Sequence, residues 1–405
     1  MHTSYKLLCD KSFRSFISVH AIYSLARWIS VSTLPLFVAQ KFNDRDVLVL
    51  SMVLKLLPTV ICTPLLANIL PKLGFKKLAI IGMLLFAISQ LGLPYASNQV
   101  VFQGFILLTG VIDTVIVACI LALRSQVIPT GQNISANALF SMVESISRIV
   151  GPSLTIVILW RLSIIQSFYI IALLLLIAII ILALTYLPFT KSLTSHKTTI
   201  HYTSFLKIFF KKPILWHIYI PSLGYALLVG TRNLFLFWAN KEIFQNDESQ
   251  WNLLLTMHGC GAIVGSIIGR KFLDWINRKI SLVEAFLYLG LLRSIGYLAL
   301  AWVSDFSAAL GMLAAIGLPE ILETICFFTL LQKYLEGDEK NVFYMLNIPI
   351  YYSFVILGTL SGRLYTTGVI PLQHLWILTS IVSAIVIIPF LLNAKKAHKN
   401  SISKN

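Results

Sequence analysis

The sequence predicts an all-α membrane protein in which twelve transmembrane helices form two six-helix bundles. Of its 405 residues, 57% are hydrophobic and only 12% are charged, a composition typical of an integral membrane protein. A bilayer core roughly 30 Å thick takes about 20 apolar residues per helix, and apolar runs of about this length recur between short polar segments. We expect helices because backbone amides in hydrocarbon must bond internally, and because the runs lack the alternation of barrel strands.

Twelve apolar runs are long enough to span the bilayer. In chain order they cover residues 13–38, 47–67, 78–95, 100–123, 138–160, 166–187, 214–238, 252–270, 281–302, 306–331, 342–362 and 372–392. The first run is long, contains Arg27 and has no small-residue cleavage site after it, so we interpret it as a mature helix and not a signal peptide. The longest polar connection, residues 191–213, divides the chain into an N-terminal bundle (1–190) and a C-terminal bundle (214–405).

The positions of Lys and Arg predict the topology. If the N-terminus is cytoplasmic, the inner segments hold 22 of the 32 basic residues and the outer loops hold five. Because cytoplasmic loops of membrane proteins carry an excess of basic residues, we expect both termini in the cytoplasm and the chain in the cell (inner) membrane. The net charge of +16 therefore reports topology and implies no nucleic-acid partner.

Both halves carry a basic loop between their second and third runs, ANILPKLGFKK at 67–77 and RKFLDWINRK at 270–279. Their equivalent positions predict an internal repeat, as in transporters built from two related bundles. The loops resemble the corresponding loop of the major facilitator superfamily, in outline Gly-x-x-x-Asp-Arg-x-Gly-Arg-Lys. The matching residues are Gly74 and Lys76 in the first copy and Asp274, Arg278 and Lys279 in the second. In this family the acidic residue and its basic neighbours hold the cytoplasmic face closed. Pro71 stands in place of the first aspartate, so the resemblance implies this role mainly for the second loop. The alternative is that both loops are basic turns that anchor helix ends.

Longer phrases resemble the drug:proton antiporter subgroup that includes macrolide efflux pumps, the enterobactin exporter and the lysophospholipid transporter. The phrases are FRSFISVHAIYSLARWISVSTLPLFV, QVIPTGQNISANALFSMVESISRIVGPSL and LLQKYLEGDEKNVFYMLNIPI. The resemblance implies a proton-coupled exporter of a small organic solute that works by alternating access. It extends over nearly the whole chain.

The fifth run contains Gly151 and Pro152, which match a Gly-Pro motif often found in the fifth helix of antiporters in this superfamily. Pro removes a backbone hydrogen bond and Gly removes a side chain, so the helix can bend and approach a neighbour closely. The eighth run carries a small-residue stripe, Gly261, Gly265 and Gly269. By resemblance these two helices meet, so we expect a hinge face between the bundles; a static close-packed helix pair is the alternative.

Charged residues within spans are costly and are candidates for function. By resemblance, helices one, four, seven and ten line the central cavity, and they contribute Arg27, Asp113, Arg232, Glu320 and Glu323. We expect Arg27 to pair with Asp113, either as part of substrate or proton coupling or as a fixed ion pair. Many antiporters of this superfamily carry an acidic residue in the first helix, and this chain has Arg27 there.

Other charged residues are expected to play lesser roles. Glu144 and Arg148 are four residues apart, so they share a helix face, and Arg124 is a possible partner; we interpret these three as a gate or structural network. Lys55 and Arg293 are assigned to peripheral helices and are not expected to bind ligand. His20 and His258 are interpreted as hydrogen-bonded packing residues.

The sequence has no phosphate-binding glycine loop, hydrolase triad or metal-like cysteine spacing. We therefore expect no enzyme activity, cofactor or metal, and a monomer whose partners are a small-molecule substrate, protons and membrane lipid. Arginines beside carboxylates favour an anionic or zwitterionic cargo, so export of a siderophore and efflux of a drug-like compound remain open. A lysophospholipid transporter and a non-transporting receptor or scaffold are the alternatives.

Overall fold

The computed structural model describes residues 7–128, 133–186, 202–336 and 338–402, and within these ranges the chain is helical. The N-terminal half contains α1 (Lys11–Phe42), α2 (Arg45–Leu73), α3 (Phe75–Gly92), α4 (Gln99–Val127), α5 (Asn133–Arg161) and α6 (Ile164–Leu184). A short connector helix, Tyr202–Lys211, precedes the second half. The C-terminal half contains α7 (Ile214–Glu242), α8 (Trp251–Asn277), α9 (Leu282–Leu300), α10 (Phe306–Tyr334), α11 (Asp338–Thr366) and α12 (Leu372–Ile402).

Each predicted apolar run overlaps one of these long helices, with Leu187 of the sixth run outside the described residues, and this confirms the all-α membrane fold. Among the described residues, 11 helices are long and apolar enough to cross a membrane. The remaining long helix, α11, contains the predicted run 342–362, and polar residues such as Asn347, Ser353 and Thr359 interrupt its apolar sequence.

Polar residues at the predicted run ends begin several helices. The Asp10 carboxylate accepts a hydrogen bond from the Phe13 amide at the start of α1, and Asn98 caps α4 in the same way. At α9, Ser281 and Glu284 form a capping box. These side chains satisfy amides that have no partner in the first turn of a helix, so the local sequence determines where the spans begin.

The described chain forms two compact units, residues 1–199 and 200–405. In the first unit α1 packs on α5 and α6, α4 on α2 and α3, and α3 on α6. In the second unit α7 packs on α11 and α12, α10 on α8 and α9, and α9 on α12. Adding six to each helix number of the first unit gives the pairs of the second, which confirms the internal repeat.

The glycine stripe of α8 packs against α10 of its own unit. A Cβ atom on Gly261 would lie 1.8 Å from the Ala314 carbonyl oxygen, and one on Gly265 would lie 2.4 Å from Ile321 Cγ2. Gly269 likewise faces Ile325. The glycines therefore serve a close approach of α8 to α10 within the unit, and the expected meeting of α8 with the fifth helix stays a prediction.

The Gly-Pro motif makes its close contact with α1. A Cβ atom on Gly151 would lie 2.5 Å from Trp28 Cβ, and α5 continues as a helix through Pro152. Nearby, the Ser32 and Thr155 hydroxyls are joined by a hydrogen bond of 2.6 Å. The motif thus allows α1 and α5 to pack closely, and its role as a hinge remains a prediction.

The basic residues of the two loops make different contacts. Gly74 has φ +84°, a conformation that favours glycine, and it joins α2 to α3. Lys76 Nζ donates to the carbonyl oxygens of Ala183 and Thr185 at the end of α6, at 2.9 Å each. In the second loop, Lys279 Nζ lies 4.3 Å from the centroid of the Trp275 ring. Arg278 is the C-cap residue of α8, and the side chain of Asp274 lies outside the described residues.

Candidate functional site

The first unit holds a buried carboxylate on α4 that is bound from α1. Asp113, whose residue is 8% exposed, accepts a hydrogen bond from the Tyr23 hydroxyl at 2.5 Å and one from Arg27 Nε at 3.1 Å. The Lys55 ammonium on α2 also interacts electrostatically with this carboxylate. The predicted pair of Arg27 and Asp113 therefore forms, and Lys55, which the sequence placed at the periphery, belongs to the same site.

Glu144 on α5 is also bound from α1. It accepts hydrogen bonds from the Ser24 hydroxyl at 2.5 Å and from Trp28 Nε1 at 3.1 Å, and His20 Nε2 lies 3.9 Å from it.

Two arginines near Glu144 stack on aromatic rings. Arg148 Cζ lies 5.2 Å from the centroid of the Trp28 ring, and Arg124 Cζ lies 4.3 Å from that of Phe140. The contacts of Glu144 and Arg148 with the first helix go beyond the network expected from the sequence.

The second unit holds a network around Glu320 on α10. Arg232 Nη1 on α7 lies 3.3 Å from Glu320 Oε2 and donates to the Tyr297 hydroxyl at 3.0 Å. The Tyr297 hydroxyl and His258 Nε2 each lie 3.1 Å from the same carboxylate oxygen. His258 is thus buried and hydrogen-bonded, as expected from the sequence, and its partners make it a member of this polar network.

Glu323, one turn along α10, belongs to a separate pair with Arg293 on α9. Arg293 Nη2 donates to Glu323 Oε1 at 3.2 Å, and Nε lies 2.7 Å from Oε2. The guanidinium is fully buried at 0% exposure and lies 3.7 Å above the Tyr225 ring centroid. α9 packs on both α10 and α12, which encloses this face of the helix, so Arg293 is buried inside its unit and paired; the peripheral position of its helix stays a prediction.

Tyr225 lies between the two carboxylates of α10. Arg293, the partner of Glu323, stacks on the Tyr225 ring, and Tyr225 also interacts electrostatically with Glu320.

The two units repeat the arrangement of their buried charges. In each, the first helix supplies an arginine and the fourth a carboxylate: Arg27 with Asp113 and Arg232 with Glu320. The second helix of each unit adds a basic side chain: His258 Nε2 lies 3.1 Å from Glu320, and Lys55 interacts electrostatically with Asp113 without a direct contact. Sequence inspection found the arginines and carboxylates, and only the repeated helix packing shows that Lys55 and His258 occupy corresponding places.

A pocket of about 230 Å³ lies in the second unit beside Glu323. Most of its wall is aromatic, formed by Tyr225, Phe286, Phe327, Phe328 and Tyr351, and its polar residues are Ser222, Glu323, Thr324 and Asn347. The Asn347 Oδ1 atom is buried without a hydrogen-bond partner in the described part of the chain. The pocket is therefore an apolar cavity lined by aromatic rings, and it has hydrogen-bond acceptors at its edge.

Among the described residues, no group of three or more His, Cys, Asp or Glu side chains is placed to hold a metal ion.

The family model described as Major Facilitator Superfamily matches residues 16–359. The chain belongs to the major facilitator superfamily. This member of the major facilitator superfamily is therefore a multi-pass membrane protein, a secondary transporter of small solutes that works by alternating access, and not an enzyme. The drug:proton antiporter subgroup remains a prediction.

Solved transporter structures share this fold. The nucleoside transporter NupG is 14% identical, with a TM-score of 0.72 over 95% of this chain and 99% of that chain. The human organic anion transporter MFSD10 (TETRAN) is 14% identical, with a TM-score of 0.65 over 94% and 98%. A POT family transporter in complex with a thioalcohol-conjugated peptide is 12% identical, with a TM-score of 0.71 over 94% and 96%. At these identities the likeness shows the fold alone, and no curated protein sequence matches the chain.

Proposed function

We propose that this major facilitator superfamily protein exports a small organic solute in exchange for protons. The observation that carries the proposal is the repeated buried site, in which a carboxylate on the fourth helix of each unit pairs with an arginine from the first helix. Buried carboxylates favour protonation through desolvation and resist it through nearby positive charge. Asp113 and Glu320 are each buried and paired with an arginine, so a solute that displaces the arginine would change the charge balance at the carboxylate and couple its own binding to that of a proton.

The charges of the site favour a cargo without a large net charge. Arg27, Arg232 and Arg293 each face a carboxylate at hydrogen-bond distance, so the arginine charges are compensated within their own units. Transferring an additional uncompensated charge into such an environment is costly. We therefore propose a neutral or zwitterionic solute, a description that fits both a siderophore and a drug-like compound.

The pocket beside Glu323 supports a role in solute recognition. At about 230 Å³ it is smaller than the roughly 300–1,000 Å³ typical of whole small-molecule sites, so we propose that it receives one ring of the solute. An N–H or O–H group on that ring would donate to Glu323. A proton binds the same carboxylate oxygens, so solute and proton compete there, as antiport requires.

We also propose that the solute is moved out of the cell. The protein lies in the inner membrane with both termini in the cytoplasm, and it is a monomer. The topology rests on the distribution of basic residues, and the direction rests on the resemblance of the three long phrases to exporters.

Proteoliposomes that contain the purified full-length protein and a pH-sensitive dye test the proposal. With candidate siderophores and drug-like compounds supplied on one side, we expect a solute to drive protons in the opposite direction. Glu320→Gln should abolish this exchange, whereas Glu336→Gln, which removes an exposed carboxylate just beyond α10, should leave it intact. If no solute crosses and no protons move, the chain is a receptor or scaffold; if solute crosses without protons, coupling is refuted.

A further inference from the structure

Arg148 lies near the middle of a membrane-spanning helix and has no partner of opposite charge in the described part of the chain. Its span runs from Leu139 to Arg161, so Arg148 is about 14 Å from the start of the span at 1.5 Å per residue. The Arg148 Nε atom is buried without a hydrogen-bond partner, and the guanidinium lies 5.2 Å from the centroid of the Trp28 ring on α1. A positive charge at this depth is costly unless an anion or water compensates it.

Glu144 stands four residues before Arg148 on the same face of α5, but its negative charge is engaged by α1. The Glu144 carboxylate accepts hydrogen bonds from the Ser24 hydroxyl at 2.5 Å and from Trp28 Nε1 at 3.1 Å. The positive charge of Arg27 also acts on it. Glu144 therefore satisfies its hydrogen bonds without forming an ion pair with Arg148.

Arg148 differs in this respect from other arginines inside the spans. Three of them each face a carboxylate of their own unit, in the pairs Arg27 with Asp113, Arg232 with Glu320 and Arg293 with Glu323. Arg148 stacks on an aromatic ring instead. Its charge is therefore available to a ligand, whereas the charges of the paired arginines are already compensated.

The guanidinium of Arg148 belongs to a partly exposed polar surface of the first unit. Arg148 and Trp28 are half-buried, and the side chains of Glu144 and Arg27 are 33% and 32% exposed. Charged side chains in the middle of a span face the bundle interior or a water-filled cavity and avoid lipid. A dissolved solute can therefore reach this surface, while the headgroups of the bilayer lie at its interfaces.

We propose that Arg148 binds a carboxylate group of the transported solute, with the Trp28 ring supporting the guanidinium. The proposal rests on the proposed function and names one chemical group of that solute. A guanidinium presents parallel N–H donors that match the two oxygens of a carboxylate. One unpaired positive charge also balances one carboxylate, whereas a phosphate monoester carries about −1.5 to −2 at neutral pH and would bring surplus charge. A zwitterionic solute with a single carboxylate fits this site.

Trp28 fluorescence of the purified full-length protein in detergent tests the proposal, with benzoate as the probe and benzamide as its neutral counterpart. The Trp28→Phe variant identifies the signal that comes from Trp28. We expect a saturable change with benzoate at concentrations at least about tenfold lower than with benzamide, because hydrogen bonds between charged groups are stronger. Arg148→Gln should remove this preference, and Arg148→Lys should retain part of it, since lysine keeps the charge without the paired donors.

Arg161→Gln is the matched control. Arg161 lies at the end of the same helix, is exposed, and stacks on a tryptophan, with its Cζ atom 4.1 Å from the centroid of the Trp160 ring. This variant should leave the benzoate titration unchanged. Equal responses to benzoate and benzamide, equal weakening in Arg148→Gln and Arg161→Gln, or no response of Trp28 would each refute the site.

Further measurements test the assignment of the charge. The unfolding midpoint of ligand-free Arg148→Gln should equal or exceed that of the wild type, because the substitution leaves no carboxylate unpaired; a lower midpoint would show that Arg148 has a structural role instead. Phenyl phosphate should bind more weakly than benzoate, and tighter binding would contradict the choice of a carboxylate. Displacement of benzoate by phosphatidylglycerol would assign the site to a lipid headgroup and refute a solute site.

The exchange assay in proteoliposomes separates this proposal from the proposed function. Binding of benzoate at Arg148 without any exchange of solute for protons would support the carboxylate site and refute the proposed function. Proton-coupled exchange that is the same in Arg148→Gln and the wild type would support the proposed function and refute the carboxylate site.

Discussion

Arg293 shows how strongly one buried side chain can depend on its partner. Its guanidinium is fully enclosed, paired with Glu323 through two contacts and stacked on Tyr225. Removing one member of a buried ion pair leaves the other charge uncompensated and typically costs about 3–5 kcal/mol, while replacing both is often nearly neutral.

We therefore expect Arg293→Met to destabilise the protein by about 3–5 kcal/mol. The double variant Arg293→Met/Glu323→Gln should recover much of this loss, because it no longer buries a lone carboxylate. Thermal unfolding of purified variants in detergent measures both effects. Equal destabilisation in the single and double variants would contradict the role of the ion pair and leave lost packing as the cause.

Asp113 is the residue of the first unit on which proton coupling is expected to depend. We predict that Asp113→Asn abolishes transport while the protein is still expressed and inserted, because the amide cannot alternate between charged and neutral forms. Tyr23→Phe is the matched variant: it removes one hydrogen bond to a charged group, worth about 1.5–3 kcal/mol, and keeps the carboxylate, so transport should persist. Unchanged solute exchange in Asp113→Asn liposomes would reduce Asp113 to a structural role.

At the scale of elements, the contact between α8 and α10 depends on glycine. A Cβ atom on Gly261 would lie 1.8 Å from a backbone carbonyl oxygen of α10, which a rotamer change cannot relieve. Gly261→Ala should therefore separate the two helices and cost about 1–3 kcal/mol. Gly311→Ala, on α10 itself, has no neighbour within 4 Å and should be neutral or stabilising by roughly 0.5–1 kcal/mol. Unfolding midpoints of the two variants compare these outcomes, and equal midpoints would be inconsistent with the close approach.

The connector helix is held to its unit by a contact that depends on pH. Partial burial raises the pKa of Glu339, but the hydrogen bond from Lys212 and the charges of Lys212 and Lys211 outweigh it, so the pKa lies below its ordinary value of 4.5. A lowered carboxylate pKa stabilises the folded state above the unfolded pKa, and this contribution is lost as pH falls through the folded pKa.

The stability advantage of the wild-type protein over Glu339→Gln should accordingly be present near neutral pH and shrink between about pH 5 and pH 3. Unfolding midpoints measured across this range provide the test, with Glu336→Gln as the exposed-carboxylate control. A difference that stays constant with pH would show that the ion pair contributes no stability.

At the scale of the whole molecule, the distribution of basic residues makes a prediction about orientation. Cys9 is exposed at the N-terminal end, so a membrane-impermeant maleimide should label it in inside-out vesicles alone, with the other four cysteines replaced. Ser97, exposed in the loop between α3 and α4, should show the opposite pattern as Ser97→Cys in a Cys9→Ser background. The reverse result at both positions would invert the topology and contradict the positive-inside interpretation.

The sequence by itself determined the number, order and approximate ends of the long helices. These are local properties: an apolar run of sufficient length must form a helix in hydrocarbon, and caps such as Asp10 and Ser281 stand beside the runs they begin. The paired basic loops likewise indicated the repeat, and the motif phrases indicated the superfamily to which the chain belongs.

Apart from the pair of Arg27 and Asp113, only the tertiary structure decided which charges meet. Arg293 and Glu323 are 30 residues apart, and His258 reaches Glu320 across 62 residues, so their contacts depend on how α8 and α9 are rotated about their axes against α10. That rotation is fixed by packing, at the Gly261 contact among others, and a single apolar run contains no signal for it. For this reason the sequence identified Glu320 and Glu323 as candidates, whereas their separate partners became visible only when the helices were packed.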